Sequence, residues 1–175
     1  HGVIVPMVNT ADEAEAVVRA VRYAPRGSRS WGPALAAPRH DDYRTWADNS
    51  IAVIPMIETA EALTNVDDIL SVDGVDAAYV GPADLAISLG LGPTGNDGTA
   101  IFDDALATIV NACNRHNVVP GIHATADLAG LRRRQGFKMI TVSTDLPTLR
   151  GALATELQLA RVDNPDSPGG QSGPY

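Results

Sequence analysis

Short runs of apolar and β-branched residues alternate along the chain with longer stretches in which apolar residues return every three or four positions. A strand buried on both faces reads as a continuous apolar run, and a helix packed against it shows one apolar stripe, so the alternation predicts βαβ units and a parallel sheet. Five such units are predicted. The first strand runs from Val3 to Val8, and Thr10-Ala11-Asp12-Glu13 follows it as a capping box, with a hydroxyl and a carboxylate placed to satisfy free N–H groups. The next helix sets Ala14, Val17, Val18 and Val21 on one face. From Arg26 to Ser50 the chain is rich in Gly, Pro and polar residues and reads as a long irregular connection. Further strands are predicted at Ile51 to Ile57, Val75 to Val80, Val118 to Ala124 and Met139 to Ser143. Between them lies a long helix with Leu106, Ile109, Val110 and Cys113 on one stripe, and the last helix carries Leu149, Leu153 and Leu157.

Parallel strands of this kind build either an open doubly wound sheet or a closed (β/α)8 barrel. The segment "VPMVNTADEAEA" after the first strand contains no glycine, so the phosphate fingerprint of a dinucleotide fold is missing. Polar residues stand instead at the carboxyl ends of the strands, at Asn9, Glu58, Asp84, His123 and Ser143, which is where a barrel keeps its chemistry. The predicted fold is therefore α/β, a (β/α)8 TIM-type barrel. A complete barrel takes about 250 residues and seldom fewer than about 200. The chain has 175 residues, so its five units are expected to be the last part of a longer barrel, a partial domain over residues 1–162. The closing "NPDSPGGQSGPY" has no apolar period, and residues 163–175 are expected to be a disordered tail.

Composition narrows the partners. The formal charge is -8 with 13 Lys and Arg, which argues against a nucleic-acid surface, and the run Arg132 to Arg134 is expected to cap a helix end. No apolar stretch approaches the ~20 residues needed to cross a bilayer. The single cysteine, Cys113, excludes an internal disulfide framework and fits a reducing cytosol, and the first residues show no secretory signal, so a cytoplasmic protein is expected.

Glu58 and Asp84 close consecutive strands, and neighbouring strands lie about 4.8 Å apart. Two carboxylates so close repel unless a cation lies between them. A hard divalent ion such as Mg2+ or Mn2+ fits, because it takes oxygen ligands, needs only one or two carboxylates and leaves positions for water and substrate. The alternative is that both acids only favour helix N-termini. Gly81-Pro82-Ala83 is either an ordinary tight turn or a place where a ligand approaches the backbone and its N–H groups hold a carboxylate.

"VPMVNTADEA", "RSWGPALA", "PMIETAEAL", "VDAAYVGPADLA", "PGIHA" and "GFKMITVSTDLPTL" together resemble the HpcH/HpaI aldolase family, metal-dependent class II aldolases that act on pyruvate and related 2-oxo acids. The likeness runs in order from about Gly2 to Ala160, and the "IET" and "GPADL" pair is its most specific part. The resemblance implies that Glu58 and Asp84 are metal ligands. The ion would be Mg2+ or Mn2+, with Co2+ or Zn2+ also able to occupy such a site. It further implies that a 4-hydroxy-2-oxo acid is cleaved to pyruvate and an aldehyde through a metal-stabilised pyruvate enolate, with Gly81, Pro82 and Ala83 cradling the carboxylate.

His123 is expected to line the pocket as a hydrogen-bonded wall residue. Met56 stands on the substrate side where several relatives carry a glutamine; it cannot donate that hydrogen bond, and core packing is its favoured role. No catalytic residue is identified within the chain, since the resemblance places the family's base histidine and substrate-positioning arginine upstream of residue 1. Two alternatives follow: a CoA-thioester lyase of the citryl- or malyl-CoA type, and a non-catalytic metal- or oxo-acid-binding fragment. The resemblance also implies a homo-oligomer, a hexamer or trimer of dimers.

Overall fold

The structure, a computed structural model, describes residues 1–162. The chain divides into two compact units, His1–Val142 and Ser143–Tyr175. In the first, strand β1 (Gly2–Val5) leads to helix α1 (Ala11–Val21), a 3-10 turn (Ala37–Arg39) and helix α2 (Tyr43–Ser50). Strand β2 (Ala52–Pro55), short helices α3 (Ala60–Thr64) and α4 (Val66–Leu70), strand β3 (Ala77–Val80) and helix α5 (Pro82–Ser88) follow. Helix α6 (Ala100–Arg115), strand β4 (Val119–His123), helix α7 (Ala129–Arg134) and strand β5 (Met139–Thr141) complete it.

All strand pairings are parallel: β1 with β2, β3 with β4, and β4 with β5. A parallel bridge between Met56 and Tyr79, and the N–H of Ile57 donated to the Tyr79 carbonyl at 2.9 Å, join β2 to β3. The strands therefore lie side by side in chain order. A doubly wound sheet reverses its strand order at a switch point, and no reversal occurs among these strands.

Side chains alternate across a strand, so each strand gives one set of residues to either face. Ile57, Val80 and Ile122 enter the main core with Ile69, Leu85, Leu106 and Ile109 from the helices. Cys113 lies in the same core and is fully buried; burial pushes its thiol up to about 12, so it is a packing residue. The opposite face carries a smaller cluster of Ile54, Ala77 and Tyr79 with Met56 and Met139 against it. By the same alternation Glu58, Gly81, His123 and Thr141 belong to this second face.

The expected capping box is formed, with the Thr10 hydroxyl accepting from the Glu13 N–H and the Glu13 carboxylate from the Thr10 N–H. Two expectations need correction. The first strand ends at Val5, because Met7 takes a left-handed backbone (φ 59) that no strand continues. The connection from Arg26 to Ser50 is only partly irregular: Asp42 caps α2 through the Thr45 N–H, and Tyr23, Tyr43 and Ala47 form a separate small core. Its few apolar positions sit under aromatic contacts rather than a long stripe, so periodicity did not reveal the helix.

The second unit contains helix α8 (Asp145–Val162), whose Leu149, Leu153 and Leu157 are exposed. Residues 163–175, expected to be a tail, lie outside the described residues. Among the described residues no helix is long and apolar enough to cross a membrane.

Candidate functional site

Glu58 leaves the end of β2 and is only 2% exposed. Its Oε1 accepts the Met7 N–H at 2.9 Å. The left-handed conformation that ends β1 at Met7 is thus the one that aims a backbone donor at this carboxylate, and such a conformation costs about 1–2 kcal/mol for a residue with a Cβ. Burial raises the Glu58 carboxyl above its ordinary value, the Met7 N–H opposes that rise, and the negative charge of Asp84 adds to it.

Gly81 explains why the carboxylate fits. A Cβ at Gly81 would lie 2.1 Å from Glu58 Oε2 and 3.0 Å from the Met56 methyl. The φ of -90° at Gly81 is open to any residue, so the glycine serves close approach rather than backbone freedom. Pro82 then opens α5 with a fixed φ and no N–H to leave unpaired, and Asp84 sits exposed in its first turn. Thr59 caps α3, and the Ala60 N–H is held by the Ser88 hydroxyl at 2.8 Å, which ties the segment after Glu58 to the end of α5.

The chain supplies these acids with no cationic partner: among the described residues neither Glu58 nor Asp84 joins an ion pair. No group of three or more His, Cys, Asp or Glu gathers there either, which removes a closed zinc-type cage among the described residues. Two neighbouring carboxylates without a cationic partner among the described residues suit a hard, oxygen-seeking divalent ion that keeps water or substrate in its remaining positions.

His123 ends β4 on the same face. Its Nδ1 lies 3.4 Å from the Tyr79 hydroxyl, which donates to Thr141 Oγ1 at 2.7 Å. The ring also lines a cavity of about 250 Å3 with Pro82, Ala83, Thr125 and Arg132. Arg132 is buried and paired with Asp97, its Nη1 2.7 Å from Oδ1 and its Nη2 3.1 Å from Oδ2. The basic run was expected to cap a helix end. Arg133 and Arg134 are exposed in the last turn of α7, while Arg132 turns inward to this pair.

The structure thus brings Met56, Glu58, Gly81 and Asp84 together, and His123 shares a cavity wall with Pro82 and Ala83. Asn9 is scaffolding: its side chain bonds the Thr59 hydroxyl, and its carbonyl accepts from Asn65 Nδ2 at 2.8 Å. Ser143 belongs to the second unit, where it bonds Thr148 Oγ1 at 2.7 Å. Met7, Tyr79, Thr141 and the Arg132–Asp97 pair were not anticipated. Strand alternation could have put Tyr79 and Thr141 on the site face, whereas a backbone N–H leaves no mark in a sequence.

A parallel α/β sheet that gathers unpartnered acids at the carboxyl ends of its strands defines the class of protein. The profile of the HpcH/HpaI aldolase/citrate lyase family matches residues 1–152, and the chain belongs to that family. It is 37% identical over 164 residues to the hydroxypyruvate/pyruvate aldolase of Rhizorhabdus wittichii, covering 93% of this chain and 65% of that protein. It is 40% identical over 148 residues to the 4-hydroxy-2-oxovalerate aldolase of Rhodococcus jostii, covering 83% and 57%. Among solved structures, an HpcH/HpaI aldolase/citrate lyase family protein from Burkholderia cenocepacia superimposes with a TM-score of 0.77 at 33% identity, over 91% of this chain and 65% of that one. The HpcH/HpaI aldolase of Desulfitobacterium hafniense gives 0.79 at 25% identity, over 98% and 66%. The chain spans less than two thirds of the length of each of these relatives.

Proposed function

We propose that this chain is the metal-binding part of a divalent-metal-dependent aldolase that cleaves 4-hydroxy-2-oxo acids to pyruvate and an aldehyde. The observation that carries this reading is the buried Glu58 carboxylate, fixed by the Met7 N–H and seated in the space that Gly81 leaves, with Asp84 as its charged neighbour. Glu58 and Asp84 would hold the ion, with Mg2+ or Mn2+ favoured over softer metals by an all-oxygen donor set. Such an ion supplies polarisation of a 2-oxo group and stabilises the negative charge that builds on it when the carbon–carbon bond breaks.

The chain's own residues add to that binding. The first turn of α5, which follows Gly81 and carries Asp84, would seat the substrate carboxylate on its backbone N–H groups. Met56 fills the wall beneath Gly81 with its thioether, which excludes water without competing for the ion. The parallel strands in chain order, and relatives half as long again, support five units of an eight-unit barrel. The aldehyde partner, a homo-oligomeric assembly and a cytoplasmic location belong to the same reading.

The test is linkage between ion and oxo acid. Pyruvate that shares the ion's open positions tightens Mn2+ binding, and Mn2+ tightens pyruvate binding by the same factor. Mn2+ titration of the chain by water-proton relaxation, with and without saturating pyruvate, is expected to show that gain in wild type. Saturable Mn2+ binding that pyruvate leaves unchanged would overturn the oxo-acid reading.

A further inference from the structure

His123 belongs to both the site face of the sheet and the wall of the cavity that Pro82 and Ala83 also line, and its proton can be placed by counting donors. The Tyr79 hydroxyl has one proton and gives it to Thr141 Oγ1 at 2.7 Å, as expected of a phenol, a stronger acid than an aliphatic alcohol. Toward His123 Nδ1, 3.4 Å away, the Tyr79 oxygen then has only lone pairs. Two acceptors do not bond, so a hydrogen bond at this contact needs the proton on Nδ1, and a neutral imidazole with its proton there has a bare Nε2.

The charge of the cavity wall is the second observation. Arg132 is its cation, and Asp97 neutralises it through paired contacts of 2.7 and 3.1 Å, while Nη1 also donates to Gln135 Oε1 at 2.9 Å. The Arg132 Nε is buried and has no partner. Among the described residues the cavity wall therefore offers an acceptor at His123 and carries no net charge, since Arg132 is spent on Asp97.

We propose that Tyr79 is a positioning residue that holds His123 as the Nδ1–H tautomer, so that Nε2 accepts a hydrogen bond from a hydroxyl group of the ligand. The occupant of this cavity is an uncharged hydroxyaldehyde fragment rather than an acid semialdehyde, because among the described residues a second carboxylate finds no free cation in the wall and meets a lone pair at Nε2. Naming that fragment as the aldehyde half of the substrate rests on the aldolase reading; the tautomer and the preference for a neutral ligand do not.

The experiment uses the full chain with 15N-labelled histidine, without metal. The chain has four histidines, and His123→Asn identifies the resonance pair that belongs to His123. The wild type is expected to show the proton on Nδ1. Tyr79→Phe removes the acceptor, and Thr141→Val frees the phenol proton to point at Nδ1, so both variants are expected to move the histidine proton to Nε2. A wild-type proton on Nε2 overturns the proposal whatever the variants do, as does an unchanged tautomer in a folded variant. Glyceraldehyde and succinic semialdehyde are then titrated against the Nε2 resonance. Glyceraldehyde is expected to bind at least about tenfold more tightly, and Asp97→Asn, which leaves Arg132 uncompensated, to narrow or reverse that ratio. A preference for the semialdehyde in wild type, or no shift with either probe, overturns the ligand assignment. Because neither step uses metal or pyruvate, failure here is separable from failure of the metal site.

Discussion

Glu58 and Asp67 are both carboxylates on the same unit, and the chain treats them in opposite ways. Asp67, on α4, is half exposed and gripped by Arg115, with contacts of 2.7 and 2.8 Å from Nη2, and by His116 Nε2 at 2.9 Å. The Arg115 guanidinium, and after it His116, holds the Asp67 carboxyl below the usual range. Glu58 is buried with another acid as its charged neighbour and has its carboxyl raised. An acid clamped by Arg115 and His116 is a strut between α4 and α6. A buried acid given one backbone N–H and a second acid stores repulsion, which a cation from outside would relieve.

The contrast can be broken most forcefully at Gly81. Gly81→Ala puts a methyl group 2.1 Å from Glu58 Oε2. The carboxylate must swing away, at a cost of about 1–3 kcal/mol of stability as for other overpacked cores, and Mn2+ binding is expected to vanish. Urea unfolding and Mn2+ titration measure the two effects. Glu58→Gln keeps the shape and removes the charge. It is expected to weaken Mn2+ by more than about tenfold, or 1.4 kcal/mol, while the metal-free variant is at least as stable as wild type at neutral pH because a desolvated charge is gone.

Acid titration sharpens the comparison further. Raised in the folded state, the Glu58 carboxyl contributes stability that is fully present below its unfolded value of about 4.3 and is lost as pH rises through the folded value. Lowered in the folded state, the Asp67 carboxyl contributes stability that is present above its unfolded value of about 3.9 and is lost as pH falls through the folded value. Metal-free melting of wild type, Glu58→Gln and Asp67→Asn across about pH 3 to 7 separates the two slopes. Mn2+ competes with the Glu58 proton, so its binding is expected to weaken on acidification at a higher pH than an ordinary exposed carboxylate pair would show. The smallest effect is expected from Asp67→Asn at neutral pH, a slight loss of stability that salt reduces further.

Much of this site could be read from residue order. "IET" and "GPADL" put Glu58 and Asp84 at the ends of neighbouring strands, and the structure sets Asp84 close enough to raise the Glu58 carboxyl. The glycine's purpose was not legible, because a turn glycine and a close-approach glycine look alike until Glu58 Oε2 is found in the space of the missing Cβ. Met7 falls inside the predicted strand Val3 to Val8, since backbone sign is not written in an apolar run. The inward turn of Arg132 depended on Asp97, 35 residues earlier, a pairing that helical period does not encode. Helix α2 is hidden from periodicity because it is held by the Asp42 cap and by aromatic contacts of Trp31 and His40 with Tyr43 and Trp46.

The central claim is that Glu58 and Asp84, without a cationic partner among the described residues, bind a divalent ion. Mn2+ titration followed by electron paramagnetic resonance, on wild type, Asp84→Ala and Asp67→Asn after circular dichroism has shown each to be folded, tests it most directly. One saturable Mn2+ in wild type and in Asp67→Asn, absent in Asp84→Ala, is the expected result. Equal Mn2+ binding by folded wild type and folded Asp84→Ala, or none by wild type, would contradict it.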